Sequence, residues 1–159
     1  MPAFGPKLVV QTILTSANDT SAKEELGAVV ITSDGKLFQY INAKSALSQG
    51  FVVGGDSSAS GTATYTVSPT IARCAGNRAV GVAVGTISAG NYGWVQVKGR
   101  NNHVKTDGSV GVGGIRWGTN KTAASASATT AVTKPLMGLS RKADSGSIAT
   151  FVELDCLLM

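Results

Sequence analysis

Apolar and polar side chains alternate along this chain with a period of two rather than 3.6 almost wherever a pattern can be read, which predicts strands rather than helices. In Thr62-Ala-Thr-Tyr-Thr-Val67, Ala63, Tyr65 and Val67 fall on one face and three threonines on the other, the pattern of a half-buried strand. Residues 7–14 and 28–32 are β-branched runs that end in polar turn residues. Residues 36–41 follow Ser33-Asp34-Gly35, where Gly35 suits the positive φ of a tight hairpin turn. Residues 51–53, 79–87, 92–98, 110–117 and 148–154 are further predicted strands, with turns at 89–91, 106–108 and 144–146. Helix signals are few: Ser21-Ala-Lys-Glu24 within residues 19–26 fits a capping box, and residues 43–49 suit a single helical turn. The expected fold is all-β, a small antiparallel β-barrel or sandwich built from hairpins. At most one or two short helices and some extended arm or loop segments accompany it.

One internal echo stands out. Gly81-Val82, Ser88 and Trp94-Val95-x-Val97 recur 57 positions later as Gly138-Leu139, Ser145 and Phe151-Val152-x-Leu154. Each copy reads as strand, turn, strand. Either two hairpins of one barrel resemble each other because hairpins do, or a segment was duplicated. Trp94 and Phe151, which lead the two return arms, are expected in the core. The organisation predicted is an N-terminal arm over residues 1–7, with Pro2 and Pro6 around Phe4, and a single β-rich domain over residues 8–159. Within that domain residues 119–133 are low in complexity and lack large side chains, so they read as an exposed loop or arm.

Composition sharpens this picture. The 159 residues suit one domain, and only 14% of them are charged, too few to coat long solvated helices. Glycine, at 20 residues, takes much of the difference together with Ala, Ser and Thr. No apolar run approaches the roughly 20 residues of a membrane-spanning helix, and Met1-Pro-Ala-Phe-Gly-Pro6 lacks the basic start of an export signal. A soluble chain with no membrane partner is therefore expected. The net charge is +5, and residues 81–159 hold eight basic and four acidic side chains against six and five in residues 1–80. Lys98, Arg100, Lys105, Arg116 and Lys121 face only Asp107 in their stretch. Such a stretch attracts nucleic acid or an acidic protein surface, or forms a pair of solvated loops. Base stacking has little to use there, since Trp117 alone lies inside it and Trp94 just before it.

Catalytic chemistry is hard to find. His103 is the single histidine and reads as a surface-loop residue, with neither a metal-ligand set nor a triad around it. Cys74 and Cys156, 82 positions apart, match no metal or redox spacing and read as buried thiols rather than a disulfide. No nucleophile elbow, phosphate-binding loop or zinc-protease motif is present. Gly111-Val-Gly-Gly114 leads into no helix, so its glycines are read as strand-packing residues. A non-enzymatic protein without cofactor or metal is expected.

Read in order, several phrases resemble the capsid decoration, or cement, proteins of tailed bacteriophages. They are Ser33-Asp-Gly-Lys-Leu-Phe-Gln-Tyr40, Ala43-Lys-Ser-Ala-Leu47, Gly50-Phe-Val-Val53 and Arg78-Ala-Val-Gly-Val-Ala-Val84. Ala89-Gly-Asn-Tyr-Gly-Trp-Val-Gln-Val-Lys-Gly99 follows, then Val104-Lys-Thr-Asp-Gly-Ser109, and Met137-Gly-Leu with Ile148-Ala-Thr-Phe-Val152 closes the series. The match runs over roughly residues 30–155. The resemblance implies a non-enzymatic virion protein on the outer capsid surface, assembled in the host cytoplasm. It would bridge neighbouring copies of the major capsid protein, as a homotrimer at three-fold positions. The chain is longer than the smallest such proteins, and residues 119–133 have no counterpart in them. Candidate capsid or subunit contacts are Phe4 and Pro6 on the arm, with Arg100, Arg116 and Trp117 in the basic stretch. The alternatives are another phage role in the tail or head-tail connection, and a basic nucleic-acid-binding β-barrel; nucleic acid is the less favoured partner.

Overall fold

The turn after Thr32 shows how the sequence makes its hairpins. Gly35 adopts φ +79° and its N–H donates to the Thr32 carbonyl at 2.9 Å, folding β1 (Val29–Ile31) back on β2 (Leu37–Ala43). The Thr32 hydroxyl donates to the Asp34 carboxylate, whose pKa is held below the usual value first by the Lys36 ammonium bonded to it and then by that hydroxyl. The structure, a computed structural model, describes residues 17–56, 65–69, 74–117, 123–125 and 136–156. The predicted arm over residues 1–7, the predicted strand over 7–14 and most of the low-complexity segment 119–133 lie outside those residues.

The fold is all-β, and no helix forms among the described residues. After β2 come β3 (Val52–Asp56), β4 (Thr66–Ser68), β5 (Cys74–Ala83) and β6 (Tyr92–Asn101). In the order β2-β4-β3-β5-β6, with β6 pairing again to β2, they close a five-stranded barrel. Every join is antiparallel except β2–β4, which run parallel with Asn42 beside Thr66. The sheet continues from β6 through β12 (Val152–Asp155), β10 (Leu136–Ser140), β8 (Gly113–Trp117) and β9 (Ala123–Ser125). β7 (Val104–Lys105) and β11 (Ile148–Ala149) form a separate short ladder.

Both predicted helical segments are irregular instead. Isolated single turns are marginal in water, so tertiary bonds decide their shape. Residues 19–26 run as bends and turns because Asp19 exchanges two backbone bonds with Tyr92, at 2.9 and 2.8 Å, and the Lys23 N–H donates to the Tyr40 hydroxyl at 3.2 Å. Residues 43–49 stay open because Leu47 exchanges two backbone bonds with Ile87, at 2.8 and 3.0 Å. The single strand predicted over residues 148–154 is broken into β11 and β12 by a bend at Thr150, whose N–H and hydroxyl donate to the Asp144 carboxylate.

Alternation places apolar side chains in three packed layers. The barrel interior holds Ile41, Ala43, Leu47, Val53, Val67, Val80, Ala83, Ile87, Val95 and Val97. One outer layer, Val30, Phe38, Tyr40, Val84 and Trp94, is covered by residues 17–28. The other joins Val52 and Val82 of the barrel to Val104, Val110, Met137, Ala149, Val152, Leu154 and Cys156. Phe151 stands apart from these layers: half-buried, it carries the Arg100 guanidinium over its ring at 3.9 Å, whereas Trp94 is 5% exposed and part of a core layer. The core expectation thus holds for Trp94 and not for Phe151, which has no covering segment like residues 17–28 among the described residues.

The echo in the sequence is the visible part of a larger repeat. Val82 pairs with Gln96 and Ala83 with Val95; adding 57 to each gives Leu139 with Glu153 and Ser140 with Val152, which also pair. The β3–β5 ladder passes over Val80 and the β8–β10 ladder passes over Met137, again 57 positions on. Phe38 faces Gln96 and Gln39 faces Val95 in the first unit, as Arg100 faces Glu153 and Asn101 faces Val152 in the second. β4 lies beside β3 as β9 lies beside β8, and the bridge Leu47–Ile87 has its counterpart in Val110–Asp144. Two hairpins do not share this much merely by being hairpins, so the chain is an internal tandem repeat. β6 ends the first unit and begins the second. The units differ in closure: β2 pairs with both β4 and β6, whereas β7 and β9 share no ladder among the described residues. β7 contacts the first unit instead, its Lys105 N–H donating to the Gly50 carbonyl at 3.0 Å.

Tyr40 clamps residues 17–28 onto this framework and makes the attachment sensitive to alkali. Its buried hydroxyl donates to Asp19 Oδ2 at 2.8 Å, and burial, more than the neighbouring carboxylates, pushes the phenol up to about 12. An unfolded tyrosine titrates near about 10, so the folded state favours the neutral phenol. Its stabilising contribution is complete below about pH 10 and is lost as the pH rises through the folded value. The wild type is therefore expected to lose more stability than Tyr40→Phe between about pH 10 and pH 12, measured by urea denaturation. Parallel losses in the two proteins would refute the clamp.

Candidate interaction surface

Among the described residues, the basic stretch is spread over three strands, and Lys121 lies outside them. Lys98 and Arg100 lie on β6, Lys105 on β7 and Arg116 with Trp117 on β8. β12 and β10 stand between β6 and β8, so at least three strand spacings, about 14 Å, separate the backbones of Arg100 and Arg116. Phe4 and Pro6 lie outside the described residues. Of the five candidate contacts, Arg100 is the one whose described side chain sits in a defined polar setting.

A register row runs outward from Arg100 to Glu153, Leu139 and Gly114, and Asp155 faces Lys98 in the next row. Arg100 and Lys98 are exposed, and Leu139 is 41% exposed. Positive and negative groups therefore alternate on this face. Val29 and Ile31 on β1 are also exposed, as is Val112 just before β8.

Beside Arg100 lies a cleft of about 150 Å³, lined by Lys36, Gln49, Ala83, Val84, Gln96, Arg100, Asn101, Asn102 and His103. It sits where the first unit passes into the second. Its wall is held by buried amides. Gln96, 3% exposed, donates from Nε2 to the carbonyls of Lys98, Gly99 and Arg100 at 3.2, 3.1 and 3.0 Å. Its Oε1 accepts from Asn101 Nδ2 at 3.0 Å, and Asn101 Oδ1 accepts the His103 N–H at 2.7 Å. Gly99, at φ +90°, lets the chain turn against Lys36, whose Cγ would lie 3.1 Å from an added Cβ. Lys36 Nζ pairs with Asp34 at 2.6 Å.

Sequence reasoning picked Arg100 out of this cleft, read His103 only as a surface-loop residue, and did not single out Lys36, Gln49, Gln96, Asn101 or Asn102. The density of amides in Gln96-Val-Lys-Gly-Arg-Asn-Asn-His103 was the available signal. Among the described residues, no three His, Cys, Asp or Glu side chains come together as metal ligands. His103 is half-buried against Gly50, its Cδ2 only 2.8 Å from where a Cβ there would lie. Cys156 is a free, buried thiol that burial pushes up to about 12, a structural rather than a nucleophilic setting.

The fold defines a class first: a closed five-stranded barrel extended by a second copy of its own strand plan. No protein-family model matches the chain, and no curated protein matches it. Among solved structures, the chain is similar to the head fiber gp8.5 N base of bacteriophage phi29. The TM-score is 0.52 at 17% identity, covering 74% of this chain and 93% of the other. At that identity the likeness is one of fold.

Proposed function

We propose that this chain is a non-enzymatic structural protein of a phage virion, seated on the outer surface of the head. The observation that carries the reading is the likeness of fold to nearly the whole of a phage head fiber base. The resemblance of residues 30–155 to capsid decoration proteins, on independent grounds, points the same way. In the fuller form of the reading, the protein binds the major capsid protein and bridges neighbouring subunits, three chains acting together. A ligand of the assembled lattice stabilises it by mass action, and repeated weak contacts add through avidity. Phe4 and Pro6 on the arm and Arg100 at the cleft are the proposed contacts. Arg116 and Trp117, on β8, belong to a different part of the sheet and would meet a different neighbour.

Quantitative mass spectrometry of purified virions tests the reading. About one copy per major capsid subunit is expected. A handful of copies would move the protein to the tail or the head-tail connection, and absence from the particle would overturn the virion role.

A further inference from the structure

We infer that the cleft at the seam of the two units is a binding site for a carboxylate and receives an acidic side chain from a partner protein. Arg100 is the centre of the inference. Its Nε donates to Asn102 Oδ1 at 3.0 Å and its Cζ lies 3.9 Å from the centre of the Phe151 ring, so the guanidinium is fixed in orientation. Glu153 faces it directly across β6 and β12, yet no carboxylate among the described residues pairs with it. An exposed, oriented guanidinium with no carboxylate partner among the described residues suits a bond to a carboxylate.

The surroundings are built rather than incidental. The Gln96 and Asn101 bonds fix the backbone that carries Arg100, so little ordering is lost when a ligand enters. Lys36 adds a second cation to the lining, partly neutralised by Asp34. A volume of about 150 Å³ suits one side chain, not a polymer backbone. The neighbouring face also argues against nucleic acid. Glu153 and Asp155 alternate with Arg100 and Lys98, whereas a polyanion needs a continuous run of cations. A protein surface that places a single Asp or Glu into the cleft needs only Arg100 and Lys36, not a continuous run of cations. The head-surface reading enters only in saying where that acidic side chain comes from.

The test uses the full chain and needs no phage particle. An acetylated, amidated peptide with a single glutamate among glycines is titrated against the isotope-labelled protein, following the Arg100 Nε–H and the side-chain amides of Gln96 and Asn101 by NMR. Saturable shifts confined to these groups are expected. Arg100→Gln, at an exposed position, should keep the spectrum of the fold and weaken binding about tenfold, with Arg100→Lys in between. Shifts absent from the cleft, or unchanged affinity in Arg100→Gln, would overturn the site. Tighter binding of a short DNA duplex at the same groups would replace the acidic protein with nucleic acid. An equal response to inorganic phosphate would reduce the cleft to a general anion site and likewise overturn the assignment. Because heads are not involved, the cleft can fail with the virion role intact, and the virion role can fail with the cleft intact.

Discussion

Gly138→Ala is expected to be among the most damaging single substitutions in this protein, costing about 3 kcal/mol or more. The carbonyl oxygen of Glu153 already occupies the space an alanine Cβ would take, with the Glu153 carbonyl carbon 2.9 Å away and Leu154 Cα 3.1 Å away. All three obstacles are backbone of the partner strand, so no side chain can swing aside and the β10–β12 hairpin must open. The repeat supplies the comparison. Gly81 is the equivalent residue of the first unit, and a Cβ there would lie 2.7 Å from the Gln96 carbonyl oxygen. Gly81→Ala should therefore cost less, about 1–3 kcal/mol. Gly146 has open space where its Cβ would be, and its alanine variant should stay within about 0.5 kcal/mol of the wild type. Urea denaturation of the three variants checks the order. If Gly138→Ala proved as stable as Gly146→Ala, the close strand approach would be wrong.

Trp94→Ala should cost about 3–5 kcal/mol, and its repeat counterpart Phe151→Ala less than about 1.5 kcal/mol. The two positions are 57 apart and lead equivalent return strands, so the backbone setting is shared and the cover is not. Trp94 packs with Val30, Phe38, Tyr40 and Val84, its ring centre 5.0 Å from that of Tyr40. Phe151 is half-buried and loses chiefly the stacked guanidinium of Arg100. Denaturation followed by far-ultraviolet circular dichroism measures both. Equal losses would mean that the second unit has a core at Phe151 as extensive as the one over Trp94.

Local features of the fold were legible in the sequence where short-range physics controls them. The period of two marked most strands, and Gly35 announced its turn because a positive φ is cheap only for glycine. The capping box at residues 21–24 misled because it describes a local preference, and the bonds to Tyr40 and Tyr92 are made by distant residues. The parallel β2–β4 join lies beyond any local signal, since it depends on how β3 is placed. The repeat showed only as six similar positions. Its stronger signature is a shared pairing register, which does not depend on side-chain identity: Arg100 replaces Phe38 and Glu153 replaces Gln96 at matching pairs. The cleft was half visible for a similar reason. A charged residue is conspicuous in a sequence, whereas an amide bonded to three carbonyls looks like any other glutamine.

The shared strand β6 has a mechanical consequence. Repeated units in one chain are commonly joined by a linker that lets them pivot. Here the joint is a continuous strand, with Val95 and Val97 packed inside the barrel and Gly99 to Asn101 laddered to β12. Tension applied across the two units would run along β6 and load its hydrogen bonds with β2 and β12 in shear, many at once, rather than unzip them singly. The molecule should thus behave as a strut with no soft hinge at its middle, yielding only when a whole ladder slides.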